Sequence, residues 1–168
     1  MWKFDITFKN LILKNPEFIS FLLPDVKVKK VEPLATELHM RMKMPDLVFR
    51  IHTKDGRRFI LHIEIVAEND PELPIRMLKY YVLLLDRYGE EVEQVVIYVG
   101  RRRPKIPRFF RGGVFQRWTF TFRFVDITSI RPEDFLSRKE PFMWVLGVVS
   151  RYADEGVLGE VVGRLRGL

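Results

Sequence analysis

The chain contains no cysteine, which rules out disulfides, thiol nucleophiles and cysteine-based zinc sites. No apolar run approaches the roughly 18 residues that a membrane-spanning helix requires. The opening residues, MWKFDITFK, carry charge where a secretory signal has its apolar segment. A soluble, cytoplasmic chain with no membrane partner is therefore expected. Repeats and low-complexity stretches are absent. Gly112-Gly113 lack the frame of a phosphate-binding P-loop, and no Ser, His and Asp pattern supports nucleophilic catalysis. Residues 101–125 lack any acidic side chain.

What that segment does contain is eight basic residues: Arg101, Arg102, Arg103, Lys105, Arg108, Arg111, Arg117 and Arg123. They account for the net charge of +7, since the rest of the chain holds 21 basic against 22 acidic residues. A localised cationic stretch is the electrostatic footprint of a polyanion binder, with Arg101, Arg102, Arg103, Lys105, Arg108 and Arg111 as the candidate contacts. A solvated basic loop would have the same composition, and charge alone does not separate the two. At 168 residues, 47% of them hydrophobic, the chain is read as one domain. Its core covers about 4–126, with a helical extension over about 127–168.

The pattern along the chain predicts a helix over 4–23 interrupted at Asn15-Pro16, with Asn15 capping the second turn. Leu38, Met40 and Met42 alternate with polar residues and predict a first strand ending at Met44-Pro45. Residues 46–53 and 58–66 predict a hairpin. Asp70-Pro71 predicts a helix start, and Gly89 its stop. Gln94 to Gly100 is a short apolar run, the mark of a strand covered on both faces and reached by a helical crossover, so it should pair parallel to an earlier strand. Trp118 to Phe124 alternates as a further strand. A short helix capped at Ser129 or near Pro132 follows, then helices to Leu168. The order α-β-β-β-α-β gives an α/β fold with a mixed sheet between helices.

The hairpin is the most informative stretch. A two-residue turn at Asp55-Gly56 would put Asp46 and Glu64 on opposite faces. A three-residue loop, Lys54-Asp55-Gly56 with Gly56 left-handed, puts them directly across from each other. The second register keeps Leu47, Phe49, Ile51, Phe59, Leu61, Ile63 and Ile65 on one face, whereas the first mixes apolar and polar sets. Two carboxylates should then face each other with Cβ atoms about 5 Å apart, where like charges destabilise a sheet. A cation or a shared proton between them relieves this.

Such a pair can hold Mg²⁺, or Mn²⁺, through oxygen, and the Ile65 carbonyl is a natural third ligand. The cation would polarise a scissile phosphate and lower the pKa of a bound water. Hydrolysis also calls for positive charge beside the phosphate, usually a Lys two residues after the Glu. Val66 occupies that position, leaving Lys79 on the following helix, or His62 beside Glu64, as a substitute. Asp5 and Glu37 could enlarge the acidic cluster. The competing reading is a strand surface on which His62 neutralises the pair.

Pro45-Asp46, then Glu64-Ile65-Val66, set in αβββαβ order, resemble the PD-(D/E)XK nuclease superfamily. The finer pattern is similar to its recombination-promoting nuclease and transposase branch. The shared text comprises Phe8-Lys9, PDLVFRIHTKDGRRFILHIEI, Glu68, Asp70, LPIRMLKYY with Arg76 and Tyr80, the QVVIYVG strand and FRFVDITSIRPEDFL. The resemblance implies a restriction-endonuclease-like core and a Mg²⁺-dependent DNA endonuclease with Asp46 and Glu64 as metal ligands. Its third position is commonly Lys or Gln, which Val66 is not. The alternative is a catalytically degenerate relative that binds nucleic acid or a protein partner. A homodimer is an open option.

Overall fold

The computed structural model describes residues 3–15, 17–34, 45–112 and 118–167, with side chains from residue 9 onward. Helix α1 (Lys3–Lys14) is followed by the short α2 (Phe18–Leu22). The expected interruption is present, but Asn15 works backwards. Its side-chain amide donates to the Leu11 carbonyl at 2.7 Å, satisfying an orphan acceptor at the end of α1, and α2 has no side-chain cap.

Five strands form one sheet in the order β1 (Val28–Pro33), β2 (Leu47–Thr53), β3 (Arg58–Val66), β4 (Val92–Tyr98) and β7 (Arg123–Asp126). The β1–β2 and β2–β3 pairs are antiparallel, while β3–β4 and β4–β7 are parallel. Helix α3 (Leu73–Tyr88) makes the β3-to-β4 crossover and ends on left-handed Gly89. It begins two residues later than Pro71, because the Asp70 side chain accepts from the Glu72 N–H and holds a turn first. The chain is thus a mixed α/β fold with helices on both faces of a five-stranded sheet.

One expected strand falls outside the described residues, and another divides. The sequence predicts a first strand over 38–44, which lies outside the described residues. The strand that pairs with β2 among the described residues is β1, whose alternation is broken by an irregularity between Val28 and Lys30. Its lysines and terminal Pro33 suit an edge position. The Trp118–Phe124 run divides at Phe122. β6 (Trp118–Thr121) pairs with β5 (Phe109–Gly112) as a separate hairpin leaning on α3, whereas β7 joins β4 in the main sheet. A 3₁₀ turn (Ile127–Ser129), α4 (Pro132–Leu136), α5 (Pro141–Gly147) and α6 (Glu155–Arg166) complete the described chain.

Period 2 divides the core. Leu47, Phe49, Ile51, Leu61, Ile63, Val95 and Ile97 pack with Ile12, Phe18, Ile19 and Leu22 on the α1–α2 side. Val66, Val96 and Tyr98 pack with Leu73, Met77 and Tyr80 of α3, and Val48 and Ile60 with Leu84. β4 is covered on both faces, as its unbroken apolar run predicts.

The hairpin has the register that pairs Leu47 with Ile63 and His52 with Arg58, and Gly56 sits at φ 89°. Across the loop the Thr53 N–H donates to the Arg57 carbonyl at 3.0 Å and the Gly56 N–H to the Thr53 carbonyl at 3.2 Å. A Cβ on Gly56 would meet no atom within 4 Å, so a substitution there is penalised by backbone strain alone. Gly56→Ala should lose about 1 kcal/mol, lowering the melting temperature by roughly 2–4 °C. Gly56→Asn should lose less, because Asn tolerates the left-handed region. Thermal denaturation giving equal losses would contradict this account.

Candidate active site

The site begins where the β2–β3 ladder stops. The Ile60 N–H donates to the Glu91 carbonyl and the Val66 carbonyl accepts from the Val99 N–H, so the even-numbered backbone groups of β3 face β4. The odd-numbered groups, those of Ile65 included, therefore face β2. The residue opposite Ile65 in this register is Pro45, which has no N–H to offer the Ile65 carbonyl. The Ile65 N–H is taken by the side chain of Asp46, donating to Oδ2 at 2.9 Å. The Asp46 N–H in turn donates to Glu64 Oε2 at 3.3 Å. Two acidic side chains are thereby locked together at the end of the hairpin.

Each carboxylate oxygen of the pair has a hydrogen-bond donor or a cation within 3.4 Å. Asp46 Oδ1 lies 2.6 Å from the ammonium of Lys9 on α1. Glu64 Oε1 lies 3.4 Å from Arg76 Nε on α3, and the Arg76 guanidinium also pairs with Asp70. Glu64 Oε2 lies 3.3 Å from His62 Nε2. The buried Gln94 amide donates to His62 Nδ1 at 2.8 Å and to the Met77 carbonyl at 3.1 Å. With Nδ1 accepting, Nε2 carries the proton and donates to Glu64. Tyr80 packs edge-on against the His62 ring, centroids 5.1 Å apart.

Burial sharpens the electrostatics. The Glu64 and Asp46 side chains are 9% and 17% exposed, and His62 is fully buried. Burial, then the negative charge of Glu64, pushes the Asp46 carboxyl above its ordinary value, against the opposing pull of Lys9 and the Ile65 N–H. Burial and the Glu64 charge likewise push the Tyr80 hydroxyl up. Asp46, Glu64 and Asp70 are met by Lys9 and Arg76, which leaves one net negative charge among these side chains. Asp46, Glu64 and the Ile65 carbonyl are hard oxygen donors of the kind that Mg²⁺ or Mn²⁺ takes. Among the described residues no group of three His, Asp or Glu side chains converges on one point, so no further side-chain ligand joins them.

The remaining sequence candidates separate. Val66 lies on the Glu64 side of the sheet as period 2 requires, but it is buried against Leu73, Met77 and Ile106. Lys79 is exposed on α3, and Arg76, one turn earlier, makes the contact to Glu64. His52 pairs with Glu32 at 3.0 Å, away from the site, and Glu32 is held down to about 2 by Lys30 and then His52. Glu37, Arg117 and the Asp5 side chain lie outside what is described. Lys9, Arg76, Asp70 and Gln94 are the residues that reading local periodicity does not deliver, because each reaches the site from a different element.

The basic loop leaves β4 at the same end of the sheet. A Cβ on Gly100 would lie 2.2 Å from the Ala67 carbonyl, so only glycine lets the loop press against the segment that follows β3. The Lys105 N–H donates to Asn69 Oδ1 at 2.5 Å, a second tie. Arg101, Arg102, Arg103 and Lys105 are exposed there. Arg108 lies over the Phe124 ring at 5.0 Å and Arg111 over Phe109 at 4.9 Å. Arg123 faces Asp25 and Glu93, each at 3.9 Å, and is compensated.

No family model and no curated protein matches the sequence. Solved structures match in part. A repair endonuclease from Pyrococcus abyssi is 23% identical with a TM-score of 0.38, over 60% of this chain and 38% of that one. The EndoMS complex with double-stranded DNA is 20% identical with a TM-score of 0.30, over 52% of this chain and 35% of that one. EndoMS in its apo form is 22% identical at 0.28, over 52% and 37%. This chain spans less than two fifths of the length of each of these neighbours. Among the described residues no helix is long and apolar enough to cross a membrane.

A carboxyl held above its ordinary value favours its protonated form, so once ionised it detracts from stability, fully so above the raised value. In metal-free buffer, Asp46→Asn should therefore raise the melting temperature at pH 7 by about 2–4 °C, or ~1 kcal/mol. The gain should fade as the pH drops through the raised value towards the ordinary 3.8. A loss of stability at pH 7 would show that the Lys9 ion pair outweighs the burial of the carboxylate.

Proposed function

We propose that this chain is a metal-dependent DNA phosphodiesterase of the nuclease and transposase-associated kind, with Asp46 and Glu64 at its centre. The observation that supports this most directly is the interlocked carboxylate pair, net negative, beside a carbonyl that Pro45 cannot engage. Asp46, Glu64 and the Ile65 carbonyl would hold Mg²⁺ or Mn²⁺, which when bound supplies Lewis acidity at a phosphate oxygen and a more acidic water. Arg76 and His62 fix the rotamer of Glu64 from two sides. The exposed Arg101, Arg102 and Arg103, with Lys105, lie where they can grip flanking phosphates, and Arg108 and Arg111 extend that surface along β5.

The burial of Val66 favours a second reading, a nuclease fold that binds DNA without cutting it. Plasmid-nicking assays in Mg²⁺ and Mn²⁺ separate the two. On the hydrolytic reading the wild type nicks, and Asp46→Ala and Glu64→Ala abolish it. Wild-type protein that binds DNA and leaves it intact would establish the binding module. Activity surviving Asp46→Ala would place the chemistry elsewhere.

The binding itself should be salt-dependent, with a log–log slope of about −0.9 per phosphate contacted. Replacing Arg101, Arg102 and Arg103 together by Ala should flatten that slope by roughly 2–3 units. Fluorescence anisotropy at several salt concentrations measures this, and an unchanged slope would assign the loop to solvation alone.

A further inference from the structure

Hydrolysis of a phosphodiester joins a water oxygen to phosphorus and breaks the bond to one sugar oxygen. The water gives up a proton, the departing oxygen gains one, and negative charge accumulates on the phosphate oxygens between those events. A fixed positive group facing them lowers the barrier. β3 offers none, because Val66 is an apolar side chain under α3. Among the described residues two cations touch the carboxylate pair. Arg76 is tied between Glu64 and Asp70, a forked contact that holds the guanidinium in place. Lys9 is different in kind. It reaches the site from α1, carries a compact ammonium on a flexible four-carbon stem, and lies 2.6 Å from Asp46 Oδ1. Asp46 Oδ2 is engaged by the Ile65 N–H, so Oδ1 is the oxygen that a bound cation would have to share or take.

We propose that Lys9 is the phosphate-facing catalytic residue of this site, supplied by α1 in place of β3. The inference rests on the hydrolytic reading above. In the metal-free protein the ammonium neutralises Asp46. Asp46 and Glu64 would hold the divalent cation, and the Lys9 ammonium, on its flexible stem beside Asp46 Oδ1, would supply positive charge to a phosphate bound there. Its positive charge then faces the oxygens on which charge accumulates. Lys9 therefore competes with the metal and assists the reaction, two effects that one substitution drives in opposite directions.

The test compares full-length wild type, Lys9→Met and Lys9→Arg. Mn²⁺ affinity is measured without DNA by titration calorimetry, and single-turnover nicking is measured at saturating Mn²⁺. Lys9→Met should bind Mn²⁺ roughly tenfold more tightly, because one charged hydrogen bond no longer has to be given up. It should nick about 10²- to 10³-fold more slowly, the usual loss for one preorganised contact to the transition state. Lys9→Arg should keep its rate within about tenfold of wild type, since it retains the charge. Lys9→Met nicking at the wild-type rate would overturn the proposal, as would unchanged Mn²⁺ affinity. If Lys9→Met does not fold, Lys9→Gln replaces it, and equal rates for Gln and Arg would overturn the proposal in the same way. A wild type that binds Mn²⁺ and DNA but never nicks would instead defeat the hydrolytic reading on which the proposal stands.

Discussion

Pro45 ends an antiparallel ladder, and most of what is distinctive about the site follows from that ending. A residue with an N–H at this position could have donated to the Ile65 carbonyl and carried the pairing one step further. With proline there, the Ile65 carbonyl loses that donor; beside it the Ile65 N–H donates to the Asp46 side chain, and the Asp46 N–H to Glu64. Two carboxylates that repel each other are held in place by backbone donors, which costs no side-chain entropy on the donor side. The arrangement is rigid because β3 is buried on both faces, and the strand cannot slip without moving its apolar set into the wrong layer.

Around this pair the electrostatics are divided between the two helical layers. Lys9 approaches from α1 and Arg76 from α3, so the site joins the helices on opposite faces of the sheet. Behind Glu64 the buried His62–Gln94 link, anchored on the Met77 carbonyl, ties β3, β4 and α3 together. A buried polar chain of this kind is tolerable only when its members are satisfied. Gln94 Oε1 is the exception, a buried atom with no partner among the described residues. The same Gln94 amide fixes the histidine tautomer that donates towards Glu64.

Much of the fold could be read from sequence where one local rule acted alone. Alternation and the Lys54-Asp55-Gly56 loop specify the hairpin register, and a continuous apolar run specifies β4. Reading failed where the period was broken or where two sheets shared one run. The irregularity between Val28 and Lys30 hides β1 from a period-2 search. The aromatic alternation from Trp118 to Phe124 is uniform, yet its two halves pair with different strands, a division that only the partners β5 and β4 impose. Asn15 shows the same limit on a smaller scale, since its side chain can cap a helix on either side and the observed choice faces α1.

The sequence by itself determined the hairpin register that brings Asp46 and Glu64 to the same end of the sheet, because register is local and a one-residue slip would bury the wrong side chains. It also determined that a dense basic segment follows β4. It did not determine which cations serve the carboxylates. Lys79 and Arg76 lie within one turn of α3, and Lys9 is 37 positions from Asp46 in the chain. Only the packing of α1 and α3 onto the ends of the strands selects Lys9 and Arg76. Long-range electrostatic partners are set by where whole elements dock, and that docking depends on the entire apolar surface of the sheet, which no single stretch of sequence carries.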